Sequence, residues 1–577
     1  ETGKYDRDCA EALHDLAGPD RPRKWFSGIG ENQVEPRPVP ERESGFRFRR
    51  KPLARFQVLC SGRDSFFRIL SQWDHQPVSV VWFKRDLRLH DHRPLSRACD
   101  QGRVICLYCF EPSFWRADDA DGSHFQFVCE SLEELRKELR IRGGDLVIRV
   151  GEVPDIFEEL WKAIRFQSLW SHEETGNRLT YERDKRVIHW AKERGVVWHE
   201  APQTGVVRGL KSRDGWSRLW KQRMVEPLAM TPVRAPSLRK VDPGHIPDPK
   251  EVGVAETMKE TAQKGGSGPA NATLESFLTE RGVGYRKEMS SPLTGEVSCS
   301  RISPYLTWGN ISIREVFQRT RDRAMDVRCA REEGRPVDKR WLQSLSSFEG
   351  RLRWHCHFMQ KFEDEPGIEF ENMNRAYDGL RENEFREDRF EAWCRGETGY
   401  PMVDACMRAL HQTGWINFRM RAMLVSFASY HLWLHWRRTA LFLARHFLDY
   451  EPGIHYSQFQ MQSGVTGINT LRIYSPAKQV VDQDPEGDFL RRFCPELEGV
   501  PKVYLPEPHR MPESLQRDIG CVVGKDYPSP VVDHREAYAQ ARKRMGEARK
   551  SPGAQAESLR VREKHGSRRR APQRRRK

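Results

Sequence analysis

From Pro77 the chain alternates between short apolar runs and longer stretches in which apolar positions recur every third or fourth residue. The runs are "VSVVWF", "RVICLYCF", "GDLVIRVG", "SLWSHEE" and "GVVWHEA", the first two continuous like strands buried on both faces of a parallel sheet. Between them, "FQFVCESLEELRKELRIRG" and "FEELWKAIRF" have helical spacing. Strand and helix alternating in this way predict a doubly wound α/β domain over 77–205. Pro, Gly, Lys and Glu then accumulate, as in "QKGGSGPANA", so 206–273 reads as an interdomain linker. After about Leu274 the strand pattern stops, and "SIREVFQRTRDRAMDV", "RLRWHCHFMQKFED", "PMVDACMRALHQTG" and "FRMRAMLVSFASYHLWLHWRRTALFLARHFL" predict an all-α region over 274–510. The expected fold is α/β followed by all-α. Residues 1–76 form an N-terminal extension of unknown role, and 511–577 a C-terminal segment.

At 577 residues the chain exceeds one ordinary core, and 17 Trp and 28 Phe argue for extensive burial although 31% of residues are charged. No apolar run reaches the ~18–20 residues of a membrane span; "AMLVSFASYHLWLHW" is broken by His431 and His435. The expectation is a soluble, monomeric, intracellular protein, in cytoplasm or nucleus with an organelle left open. The sequence opens on Glu1 and allows for residues before it. The net charge of +15 is uneven, since "RVREKHGSRRRAPQRRRK" at the end holds ten Lys/Arg against one Glu. That basic tail is expected to lie outside the folded core, where it suits a polyanion.

Thirteen scattered Cys fit reduced thiols. Cys106 and Cys109, three apart on a strand, point to opposite faces and cannot share a metal. Neighbours such as His355, Cys356 and His357 in a helix do not face one another. No metal site is expected.

Three polar segments interrupt the helical region. In "SCSRISPYLTWGNIS" (298–312), hydroxyls and an arginine precede a helix, a pattern that suits a phosphate and also ordinary helix capping. In "GYPMVDACMRALHQTGWINFRMRAM", Arg419 and Arg421 sit in an apolar helix. In "LDYEPGIHYSQFQMQSG" (448–464), read as a loop, Asp449 and Glu451 follow the most apolar helix. A buried arginine needs a carboxylate, so an Arg421–Asp449 pair is expected.

"VVWFKRDLRLHDHRPL" followed by "CLYCFEP" closely resembles the N-terminal signature of the photolyase/cryptochrome family. "WCRGETGYPMVDACMRALHQTGWINFRMR" resembles its flavin-domain signature, and "TLRIYSPAKQ" with "DPEGDFLRRFCPEL" the segment that follows. The resemblance covers about 77–510. It implies an α/β domain, which in some members seats an antenna chromophore of folate or deazaflavin type, and a helical domain that binds FAD. Tyr285 and the run Ser298, Cys299, Ser300, Arg301, Ile302, Ser303 would follow the FAD phosphates and ribityl chain. Arg421, Asp449, Tyr450 and Glu451 would surround its ring ends.

The resemblance further implies a partner, DNA carrying a flipped-out pyrimidine dimer, repaired by an electron from excited reduced FAD. Trp354 matches a tryptophan that stacks on the lesion, and His355, Phe418 and Arg419 lie where DNA would be met. Arg351, Phe418 and Met461 depart from the pattern of repairing members, which carry Glu, Asn and Trp there. Trp436 matches the middle of a three-tryptophan relay, whereas Phe459 and Asn383 replace its inner and outer members. His455 matches a position beside the flavin, where an imidazole titrating near neutral pH could give a proton to the ring. The leading expectation is a DNA photolyase, and the alternative is a cryptochrome-like blue-light photoreceptor without repair activity.

Overall fold

The computed structural model describes residues 77–235 and 240–566; the N-terminal extension and the last residues of the basic tail lie outside them. Strands β1 (Val78–Phe83), β2 (Arg103–Phe110), β3 (Leu146–Val150), β4 (Ser168–His172) and β5 (Val197–Ala201) pair in parallel in the order β3-β2-β1-β4-β5. They are connected through α1 (Arg93–Gln101), α2 (Gly122–Ile141), α3 (Val153–Ile164) and α4 (Arg178–Arg194). Strand alternation sends Val81, Phe83, Cys106, Tyr108 and Ile148 into one core, and Val80, Trp82, Ile105, Cys109 and Val147 into another. Cys106 and Cys109 therefore sit on opposite faces.

Strand order reverses at β1, so a crevice is expected beyond the carboxyl ends of β1 and β4. Side chains fill it. The Asp86 carboxylate lies 2.9 Å from His92 and 2.7 Å from His172 and accepts from the Lys84 backbone, which ties the ends of β1 and β4 together. Arg183 of α4 reaches Glu111 at 2.8 Å, Glu174 at 2.6 Å and Asp184 at 2.8 Å. Both Lys84 and Arg183 lie 4.7 Å from the Trp82 ring. The cavity left there is about 30 Å³.

The core containing Phe83 and Phe110 continues through Trp216, Trp220, Phe277, Trp308, Phe317 and Leu448. The stretch read as a linker thus contains α5 (Trp216–Val225) and the start of α6 (Ser267–Thr279), held by buried tryptophans. Gly309 has φ +73°, and a Cβ there would lie 2.2 Å from the Arg85 carbonyl, so only glycine lets the two regions approach so closely.

Helices α7 (Ile313–Glu332), α8 (Arg340–Asp364), α9 (Pro401–Thr413), α10 (Phe418–Ser426), α11 (Trp436–His446) and α12 (Pro452–Gln462) build the helical region. The single helix expected over 418–448 is broken between α10 and α11 by a π-helical turn at Phe427–His431 and by Trp433 at φ 56°. The polar stretch read as a loop is mostly α12, because Pro452 stands at the first helical turn, where its fixed φ and missing N–H are tolerated. Helices α13 (His534–Lys550) and α14 (Pro552–His565) dock on this region. His534 lies 2.9 Å from His431, Val561 is fully buried, and His565 pairs with Glu365 at 2.6 Å. The start of the basic tail is therefore packed rather than outside the core. Among the described residues no helix is long and apolar enough to cross a membrane.

Candidate flavin site

The turn between α11 and α12 is fixed by donors to its carbonyls. His124 lies 3.0 Å from the Phe447 carbonyl, Trp308 donates to Leu448 at 3.1 Å, Thr307 to Asp449 at 3.3 Å and Arg85 to Tyr450 at 3.3 Å. With its backbone so held, Asp449 takes a two-pronged pair from Arg421, both contacts at 2.9 Å. Burial works to raise the Asp449 pKa, but Arg421 and the Ser303 hydroxyl hold it below the usual range. Glu451 lies 3.5 Å from Arg85, and burial still pushes it up to about 7.

The turn Ser298–Ser303 faces this pair and is surrounded by cations. Arg281 donates to the carbonyls of Thr273, Val297, Cys299 and Ser300 and so shapes the turn. Arg301 adopts φ 57°, an uncommon conformation for a non-glycine residue, and lies 4.1 Å over the Trp415 ring. The charges of Arg281, Arg301, Arg351 and Arg421 all act on the Cys299 thiol, which burial pushes up to about 11. Asp449 answers Arg421, while Arg281 is spent on carbonyls. Glu288 also accepts from the Ser298 hydroxyl, so four guanidiniums meet two carboxylates and the turn keeps a net positive charge, as an anionic diphosphate requires. The Ile302 side chain is buried in the core.

At the rim, Arg351 lies 5.6 Å from the Phe418 ring, contacts the Met289 sulfur at 3.7 Å and bonds the Tyr285 phenol. Phe418 is 46% exposed. Trp354, on the same face of α8 as Arg351, is half-buried and stacks 5.4 Å from Phe358.

Three expected roles change. Burial pushes His355 down to about 4, and its Nδ1 is enclosed without a partner within reach of the Asp449 charge. It is a neutral, half-buried ring. His455 places Nε2 at 2.8 Å from the Ala440 carbonyl, and burial pushes it down to about 4. Its proton is spent on that carbonyl, so Nδ1 can only accept, and the ring does not titrate near neutral pH. The Tyr450 phenol donates to Asp119 at 2.7 Å and turns away from the other candidates. Arg85, Asp119, His124 and Arg281 had no local sequence signal: each acts across a large separation in the chain.

Comparison with known proteins gives these residues a context. A family model described as "DNA photolyase" matches residues 79–209, and one described as "FAD binding domain of DNA photolyase" matches residues 348–547. The chain belongs to the photolyase/cryptochrome family. It is 28% identical over 486 residues to a cryptochrome DASH of Gloeobacter violaceus, covering 79% of this chain and 93% of that protein. It is 27% identical over 495 residues to a deoxyribodipyrimidine photo-lyase of Alkalihalophilus pseudofirmus, covering 80% and 97%. The solved class III photolyase from Agrobacterium tumefaciens shares the fold, with a TM-score of 0.71 at 24% identity over 82% of this chain and 98% of that one. This family chain is an FAD-binding protein.

The residues fit that cofactor. Among the described residues, buried polar atoms of His355, Asn417, Arg419 and Glu451 have no partner, and the Ser298–Ser303 turn has net positive charge. A group with many hydrogen-bonding edges and two phosphates answers both.

Proposed function

We propose that the protein is a DNA photolyase that repairs ultraviolet-induced pyrimidine dimers. Bound FAD would supply light absorption and one-electron transfer. Tyr285, Ser298, Ser300, Arg301 and Ser303 would hold its phosphate side, and Arg421, Asp449 and Glu451 its ring ends. The observation that carries the reading is the rim: the exposed Phe418 ring beside Arg351, with Trp354 on the same helix face. An exposed aromatic ring next to a guanidinium suits an unstacked base and its phosphate. Arg419, one residue on, adds a second cation. Arg351 replaces the carboxylate of other repairing members, so it would hold the lesion or its phosphate by donating where they accept.

The test is to reduce the FAD-loaded protein chemically and mix it, without oxygen, with dimer-containing single- and double-stranded DNA, in blue light and in darkness. Light-dependent loss of dimers that disappears in Trp354→Ala is the expected result. Intact dimers of both main types, despite reduced flavin, would sink the reading.

One observation favours a photoreceptor instead. Helix α13 docks beside the π-helical turn, through His534 on His431 and the Met545 sulfur 3.3 Å from Arg381. A docked C-terminal segment is a device light could release. Proteolytic exposure of α13 on illumination would support it.

A further inference from the structure

Phe459 stands where the family's inner relay tryptophan is expected, and a phenyl ring is very hard to oxidise. The surroundings of His455 supply another ring. Tyr456, fully buried, has its ring 5.6 Å from that of His455 and 6.4 Å from that of the retained middle tryptophan, Trp436. Phe459 lies 4.6 Å from His455 but offers no oxidisable group.

Tyr456 also has somewhere to send a proton. Its phenolic oxygen is 3.3 Å from that of Tyr450, and Tyr450 donates to Asp119 at 2.7 Å. Tyr450 is placed as donor to both Tyr456 and Asp119, and its single proton serves only one of them; while Asp119 holds it, the Tyr450 oxygen is open to a proton released by Tyr456. Asp119 is buried and takes a further bond from Asn177 at 2.9 Å. Burial keeps both phenols protonated far into the alkaline range, so neither loses its proton before it loses an electron.

We infer that Tyr456, with Tyr450 and Asp119 as its proton path, is the electron donor that replaces the missing inner tryptophan during photoreduction. Tyr456 gives one electron to the photoexcited oxidised flavin. Its phenolic proton moves to the Tyr450 oxygen as the Tyr450 proton moves to Asp119, which leaves a neutral phenoxyl on Tyr456 and a protonated Asp119. One electron from a thiol-class reductant refills Tyr456 while the proton returns along the same path. This rests on the flavin lying beside His455, but not on repair.

The test follows flavin photoreduction by absorbance in the FAD-loaded protein with added thiol. Tyr456→Phe should slow it at least tenfold with flavin content unchanged, and Phe459→Trp in that background should restore it. Asp119→Asn keeps a hydrogen-bond acceptor but takes no proton; it should slow the step and abolish the solvent deuterium isotope effect shown by the unaltered protein. A transient tyrosyl signal in the unaltered protein, absent in Tyr456→Phe, needs no mutant to be active. Unchanged photoreduction in Tyr456→Phe, or no isotope effect in the unaltered protein, overturns the inference. A flavin spectrum indifferent to His455→Asn would overturn it differently, by showing that the flavin lies elsewhere.

Discussion

Two regions of this molecule gather charge in its interior, and they do so in opposite ways. In the crevice of the α/β region, Arg183 meets Glu111, Glu174 and Asp184, and Lys84 joins them at 3.4 Å from Asp184. In the helical region, Arg281, Arg301, Arg351 and Arg421 gather round one turn, and only Arg421 has a carboxylate partner within it. The first cluster pairs its two cations with its own carboxylates, with one Glu111 oxygen left unpaired, and leaves about 30 Å³. The second is open in the chemical sense, with buried atoms of His355, Asn417, Arg419 and Glu451 unpaired. Burying charge is costly unless it is paired, so an excess that the fold tolerates marks where a partner from outside is to come.

The contrast breaks most visibly through one variant in each cluster. Asp449→Ala leaves the half-buried Arg421 without its partner, a change worth up to about 3 kcal/mol, or roughly a hundredfold in an equilibrium. FAD retention should fall by that order, read as flavin per protein after gel filtration. Arg183→Ala leaves three carboxylates facing one another and should cost about 3–5 kcal/mol of folding stability. Its flavin content should not change. If Arg183→Ala lost FAD and Asp449→Ala kept it, the two clusters would have exchanged roles.

How much of this could be read from residues alone differs by element. The strands were legible because both faces of the sheet are buried, so "VSVVWF" and "RVICLYCF" show as unbroken apolar runs. The Arg421–Asp449 pair was legible because a buried arginine demands a carboxylate and one motif held each. The polar stretch after α11 misled, since its first residues are a turn and the rest is α12, whose polar side chains bond other parts of the fold. Gln460, for example, reaches the Ile368 and Glu371 carbonyls at 2.9 and 2.6 Å. Arg85 on Glu451 and Asp119 on Tyr450 could not be foreseen, because only the packing of sheet on helices brings them together.

The pH dependence sharpens the contrast at the flavin side. Glu451 is raised to about 7, so its stabilising neutral form is fully present below the unfolded value of 4.5 and is lost as pH rises toward 7. His355 and His455 are lowered to about 4, so their contribution is present above 6.5 and is lost as pH falls toward 4. Between pH 4.5 and 6.5 the two trends oppose each other. Chemical denaturation of the flavin-free protein should show it by subtraction: Glu451→Gln removes a loss of up to about 3 kcal/mol on raising pH, and His455→Asn removes one of similar size on lowering it. Near pH 7 the FAD affinity should shift in the unaltered protein and in His455→Asn, but stay flat in Glu451→Gln. A shift that followed His455 would return the proton to that ring.

The smallest effect concerns the closed crevice. A chromophore entering there must displace Arg183 from three carboxylates, or Lys84 and Arg183 from the Trp82 ring. Withdrawal of a well-paired guanidinium subtracts from whatever affinity the sheet ends offer, so removing it beforehand should help a second ligand in the variant where it harms the fold. Arg183→Ala should therefore bind an added folate or flavin about tenfold more tightly than the unaltered chain, roughly 1.4 kcal/mol, with the first FAD already in place. Isothermal titration of the FAD-loaded protein checks it. Equal affinity in both would mean that a second ligand, if it binds at all, uses another surface. Tighter binding in the unaltered chain would mean that Arg183 is a ligand contact held in reserve, and the two clusters would differ only in which is filled first.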